Sequence, residues 1–139
     1  MIDQIIEFST NHWEMVGLFL LLLTLVFWVE SKGAASSLTP ASATALINTQ
    51  DAVVLDIRPA AEYKTGYITD AINVPATTLK DSLGKLEKHK EKPVIVVCKT
   101  GMASGAAAKE LQKNGFTSVY KMKGGIAEWQ ASNLPLVKG

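Results

Sequence analysis

The chain has 139 residues, enough for one domain of ordinary size and little more. Fourteen Lys and Arg against 13 Asp and Glu leave a net charge of +1, which argues against a dedicated nucleic-acid binder, since that would need a basic face to neutralise phosphates. The single Cys excludes an intramolecular disulfide and any resolving partner within the chain, and a free thiol suits a reducing compartment.

The first segment with a clear character is Met15 to Val29, M-V-G-L-F-L-L-L-L-T-L-V-F-W-V, uncharged and bracketed by Glu14 and Glu30. As a helix it rises about 22 Å against a hydrocarbon core of about 30 Å. Trp13 and Trp28 are placed for the two interfaces, with His12 and Asn11 extending the helix into the headgroups. Its apolar side chains contribute about 4–7 kcal/mol of insertion free energy. Residues 1–30 therefore read as a membrane anchor helix, short for a span and thinning the bilayer locally. Two other readings stand beside it. One is a cleaved secretory signal using Gly33 and Ala35, although Asp3, Glu7 and Glu14 occupy the place of a signal's basic region. The other is a buried core helix. Lys32 and the lysines beyond it put the following domain in the cytoplasm by the positive-inside rule. Residues 31–39, rich in Ser, Gly and Ala, read as a flexible linker, with a globular domain over 40–139.

Within that domain Thr39 is the N-cap and Pro40 the first residue of a helix through about Ile47. Val53 to Ile57 is a continuous apolar run typical of a strand buried on both faces of a parallel sheet. Arg58-Pro59 breaks it, and Ala60 to Lys64 makes a short helix closed by Gly66. Ala71 to Val74 is a short strand stopped by Pro75. A polar helix from about Thr77 to Leu86 leads into the charged run Glu87 to Lys92, a solvated face. Val94 to Val97 is the clearest strand, β-branched throughout. Ala103 to Lys113 is a helix ended by Asn114-Gly115. Ser118 to Met122 is a last strand, and Gly124-Gly125 opens a final helix through about Ala131. This alternation predicts an α/β domain with a central, mainly parallel sheet and helices on both faces. In such sheets ligands bind beyond the carboxyl ends of the strands.

The segment beyond Val97 is C-K-T-G-M-A-S, Cys98 to Ser104, between the strongest strand and a helix. It places the thiol at a turn whose amides point inward at a helix N-terminus, a nest for a thiolate, persulfide or oxyanion. Gly101 gives the turn a conformation that a Cβ would obstruct. Thr100 and Ser104 add hydroxyl donors and Lys99 a positive charge. The helix terminus contributes up to about 2 kcal/mol to an adjacent anion, so a solvent-reachable, substantially ionised Cys98 is expected, with a strand-end Cys packed in the core as the alternative reading. Two scattered His and one Cys make no metal site, and no G-x-G-x-x-G fingerprint is present, so neither metal nor dinucleotide is expected.

Leu55-Asp56-Ile57-Arg58, Glu62-Tyr63, Gly66-Tyr67-Ile68 and Ala71 to Pro75 resemble the first signature of the rhodanese family of sulfurtransferases. Val94 to Gly101 resembles the family's strand and C-[RK]-x-G loop. Gly115-Phe116 and Gly124-Gly125 with Trp129 resemble its closing elements. With the apolar helix included, the chain is similar to single-span, membrane-anchored rhodanese-like proteins of bacteria. The resemblance implies a three-layer rhodanese-like domain preceded by one transmembrane helix, on the bacterial inner membrane. It also implies that Cys98 is the nucleophile and carries sulfur as a persulfide, with no cofactor. The donor would be thiosulfate or a small-molecule or protein persulfide, and the acceptor a thiol. The anion cradle would be Lys99, Thr100, Gly101, Met102, Ala103 and Ser104. Asp56 and Arg58 are expected to brace the loop through hydrogen bonds, and Trp129 to pack the core. Tyr67 stands for the family's usual His and Asp70 for its usual Gly. Ala103 stands where proficient thiosulfate enzymes often carry Arg, and Lys99 lacks the bidentate fork of a guanidinium. Weak thiosulfate turnover and a preference for persulfide donors follow, with a catalytically weak binding module at a membrane complex as the alternative.

Overall fold

The computed structural model describes residues 1–33 and 35–138, without the side chains of 30–33. Two compact units divide the chain after residue 34. The first contains helices α1, Ile2–Asn11, and α2, Trp13–Gly33. His12, at φ −125° and ψ 39°, breaks the helix, and α1 lies 92° from the described apolar part of α2. Asn11 and His12 therefore do not lengthen the apolar helix, contrary to the sequence expectation. Among the described residues no single helix is long and apolar enough to cross a membrane, while the bent pair α1–α2 passes by length and composition. Nor is α2 a buried core helix: from Leu18 to Val29 every large apolar side chain is at least 49% exposed.

The second unit opens with β1, Ser36–Leu38, followed by α3, Pro40–Gln50, and β2, Val53–Asp56. Next come α4, Ala60–Tyr63, β3, Ile72–Asn73, and α5, Leu79–Ser82. The chain closes with β4, Val94–Val97, α6, Ser104–Lys113, β5, Val119–Met122, and α7, Gly125–Ala131. The strands form one sheet in the order β1-β5-β4-β2-β3, parallel throughout. The expected α/β fold is thus present, with β4 and its four buried residues at the centre.

Period-two alternation along the strands divides the core between the two faces of the sheet. Leu55, Val94 and Val96 pack with Ala107, Ala108 and Leu111 of α6. Val54, Ile95 and Val97 pack with Ala43 of α3 and with Ile126 and Trp129 of α7. Trp129 is buried as expected, its indole N–H donating to the Pro135 carbonyl at 3.0 Å. Thr39 caps α3 by accepting from the Ser42 amide at 3.2 Å, with Pro40 in the first turn.

Two expectations are corrected. The linker over 31–39 is not a free tether, because α2 runs to Gly33 and Ser36–Leu38 pairs with Tyr120–Met122 as an edge strand; Ala34 lies outside the described residues. This pairing satisfies backbone groups on the outer side of β5. The helix over Thr77 to Leu86 is instead a short α5 between 3-10 turns at Ala76–Thr78 and Leu83–His89. Gly84 weakens an α-helix there. A threefold repeat aligns Leu83, Leu86 and His89 on one side, so His89 is drawn inward. Both of its ring nitrogens are buried without a partner. Burial, and then Lys88 and Lys92, hold its imidazole below the ordinary histidine value.

Candidate active site

Cys98 follows the last residue of β4, and six residues later α6 begins at Ser104. Its side chain joins Val94 and Val96 on the α6 face of the sheet, packed in one cluster with Leu79 and Ala107. The residue is 5% exposed. The expected solvent-reachable thiol is therefore corrected to a recessed one, because alternation aims it at a packed face. The turn around it is open: Lys99, Thr100, Met102 and Ala103 are exposed, Met102 to 91%.

The Gly101 amide donates to Cys98 Sγ at 2.8 Å. Gly101 reaches that position with φ +92°, where a Cβ would lie 3.2 Å from the Gly124 amide nitrogen. Ser104 is fully buried, and its hydroxyl donates to the Gly101 carbonyl at 2.7 Å. Ser104 is thus a brace that fixes the Gly101 peptide, and its hydroxyl proton is not aimed at the sulfur as expected. Sequence reasoning missed a second brace. The amides of Ile126 and Ala127 donate to the carbonyls of Cys98 and Lys99 at 2.9 and 3.1 Å. This tight docking of α7 requires Gly125, since a Cβ there would lie 2.2 Å from the Cys98 carbonyl oxygen. The glycine pair before Trp129 was visible in the sequence, but its contact with the loop was not.

The polar residues expected to cradle an anion divide between different clefts. Lys99 lines a cleft of about 270 Å³ with Arg58, Glu62 and Ile126. Ile126 belongs to the opposite face of the sheet from Cys98, so the lysine next in sequence to Cys98 borders a cleft on the other side. Thr100, Gly101, Met102 and Ser104 border a second cleft with Lys121 and Lys123. A third, of about 400 Å³, is lined by Ala76, Leu79, Lys80, Ala103, Ala106, Ala107 and Glu110. Leu79 and Ala107 both border this third cleft and pack in the Cys98 cluster.

Asp56 and Arg58 form a buried bidentate pair, with N–O distances of 3.0 and 2.8 Å. The Arg58 guanidinium also donates to the Gly66 carbonyl at 2.7 Å. The pair therefore braces the segment 58–66 rather than bonding to the cysteine loop as expected. The Asn73 amide ties the same segment to β2 by donating to the carbonyls of Asp56 and Arg58 at 3.1 and 2.9 Å. Tyr67 stacks on Tyr63 at 4.2 Å, and burial, then Tyr67, raise the Tyr63 phenol above its ordinary value. Asp70 has φ +63°, the left-handed conformation that favours Gly and that Asp tolerates.

Residues 39–132 match the model of the rhodanese-like domain family. The uncharacterised protein YibN of Escherichia coli (strain K12) is 39% identical over 141 residues, covering 99% of each chain. The tRNA uridine(34) hydroxylase of Citrobacter koseri is 31% identical over 104 residues, covering 72% of this chain and 30% of that protein. A solved structure of the thiosulfate sulfurtransferase from Pseudomonas aeruginosa superposes with a TM-score of 0.67. At 24% identity, with 76% of this chain and 20% of that one covered, it shows the shared fold alone. Sheet order, cysteine loop and family match agree, and the chain belongs to the rhodanese-like domain family.

Proposed function

We propose that this protein is a sulfurtransferase or sulfur carrier that passes sulfane sulfur through a persulfide on Cys98. The observation that carries the reading is the amide of Gly101 on Cys98 Sγ at 2.8 Å, held from behind by Ser104 and α7. A thiolate held this way attacks the outer sulfur of a donor R–S–SH. A bond forms between Sγ and that sulfur, the donor S–S bond breaks, and its electron pair leaves on R–S⁻. A thiol acceptor then takes the outer sulfur and Cys98 departs as thiolate, a two-step covalent relay. Thiosulfate is a weak donor in this reading, since Ala103 supplies no cation and Lys99 lines a cleft on the opposite face.

The test is a mass measurement of the full chain incubated with thiosulfate, polysulfide or a low-molecular-weight persulfide. The expected result is one added sulfur on Cys98, removable by cyanide or dithiothreitol and absent in Cys98→Ser. An unmodified Cys98 across all three donors overturns the reading.

In the same proposal the N-terminal helices tether the domain to the bacterial inner membrane, with the domain facing the cytoplasm. Support comes from the exposed apolar surface of α2, which is hydrophobic all round and demands an apolar environment. Extraction from membranes by carbonate alone would refute the tether. The second reading, a binding module at a membrane complex, draws on Met102, which is 91% exposed at the tip of the loop. It prevails if Cys98→Ser keeps the cellular function that deletion of residues 1–33 abolishes.

A further inference from the structure

Resting on the sulfur-transfer reading, the question is which donor fits the side of the sheet that Cys98 faces. The cation beside the nucleophile in sequence, Lys99, does not border the third cleft, the one that shares Leu79 and Ala107 with the cysteine cluster. That cleft is about 400 Å³, room for a small ligand and no more. Its walls are mostly alanine methyls, from Ala76, Ala103, Ala106 and Ala107. Two charged side chains border it: Lys80 on α5 and Glu110 on α6.

Lys80 has no ion-pair partner among the described residues, and Glu110 accepts only from Asn114 one turn along its own helix, at 3.4 Å. Opposite charges that share a small cleft without pairing are free to engage a ligand carrying both signs. We infer that this cleft is a donor subsite for a zwitterionic low-molecular-weight persulfide, an α-amino acid hydropersulfide. Lys80 takes the carboxylate and Glu110 the ammonium, and the sulfane sulfur lies over Leu79 and Ala107, which pack in the same cluster as Cys98. The transfer is R–S–SH with Cys98–S⁻ giving Cys98–S–SH with R–S⁻. It involves no net oxidation, and the amino-acid thiolate is the leaving group.

The experiment measures initial rates of Cys98 persulfidation in the full chain with three hydropersulfides, of cysteine, of cysteamine and of 3-mercaptopropionate. The last two each lack one of the charges. In wild type the cysteine compound is the best donor. The mercaptopropionate-to-cysteamine rate ratio falls about fivefold in Lys80→Ala, as for one partly exposed ion pair, and rises by a similar factor in Glu110→Gln. Equal rate ratios in wild type and both variants overturn the subsite while leaving the sulfur relay standing. Failure of Cys98 to take sulfur from any of the three donors defeats the relay itself.

Discussion

Gly125 is the position where a single methyl group separates the packed loop from a disrupted one. Gly125→Ala meets two penalties. At φ +59° an L-residue is in left-handed space, at a cost of about 1–2 kcal/mol. The new Cβ would also lie 2.2 Å from the Cys98 carbonyl oxygen and 2.9 Å from the carbonyl carbon and oxygen of Lys99. Those neighbours are backbone, so α7 must retreat, and the amide bonds from Ile126 and Ala127 to the two carbonyls lengthen or break. Each contributes about 0.5–1.5 kcal/mol net. The expected destabilisation is about 2–5 kcal/mol, a large fraction of the stability of a small domain. Urea unfolding followed by Trp fluorescence measures it, with Gly84→Ala as the comparison because nothing lies within 4 Å of a Cβ there. Sulfur loading of the folded fraction, read by mass, should fall in parallel, since retreat of α7 frees the peptides that aim Sγ. An unfolding midpoint for Gly125→Ala equal to that of Gly84→Ala would refute the docking of α7 as the support of the loop.

Asp56→Ala leaves the Arg58 guanidinium, 6% exposed, without its carboxylate and is expected to cost about 3–5 kcal/mol. Asp56→Ala combined with Arg58→Met should recover part of that in the same unfolding assay. A double variant less stable than the single one contradicts a structural role confined to the pair. His89 introduces a pH dependence of known sign. Its folded-state imidazole lies below the ordinary value of 6.5, so the unfolded chain binds the proton first as the pH falls. Stability is thus expected to drop once the pH passes below about 6.5, until the folded-state imidazole is protonated as well. Urea midpoints at about pH 7.5 and about pH 5.5 should differ more for wild type than for His89→Gln; identical differences would show that the buried ring nitrogens are inconsequential.

Much of the domain was legible along the chain because its signals are local. The β-branched run Val94 to Val97, the Thr39-Pro40 cap and the stop at Asn114-Gly115 each depend on residues within a few positions. The cysteine loop was legible for the same reason, since it directly joins a strand to a helix. Less local features were misread. Ser36 to Leu38 has the composition of a linker and becomes a strand through pairing with β5. The polar stretch after Pro75 has helical spacing, yet it winds into 3-10 turns that carry His89 inward. The break at His12 has no proline or glycine to announce it.

What the order of residues specified was the architecture and the place of the lone cysteine between a strand and a helix, because hydrophobic period and turn chemistry act over short range. Which side of the sheet each charge serves was settled only in three dimensions. Lys99 follows Cys98 directly but borders a cleft on the opposite face, while Lys80 and Glu110, distant in sequence, border the cleft next to the cysteine cluster. Strand alternation sends neighbouring side chains to opposite faces, and tertiary packing alone brings remote ones together.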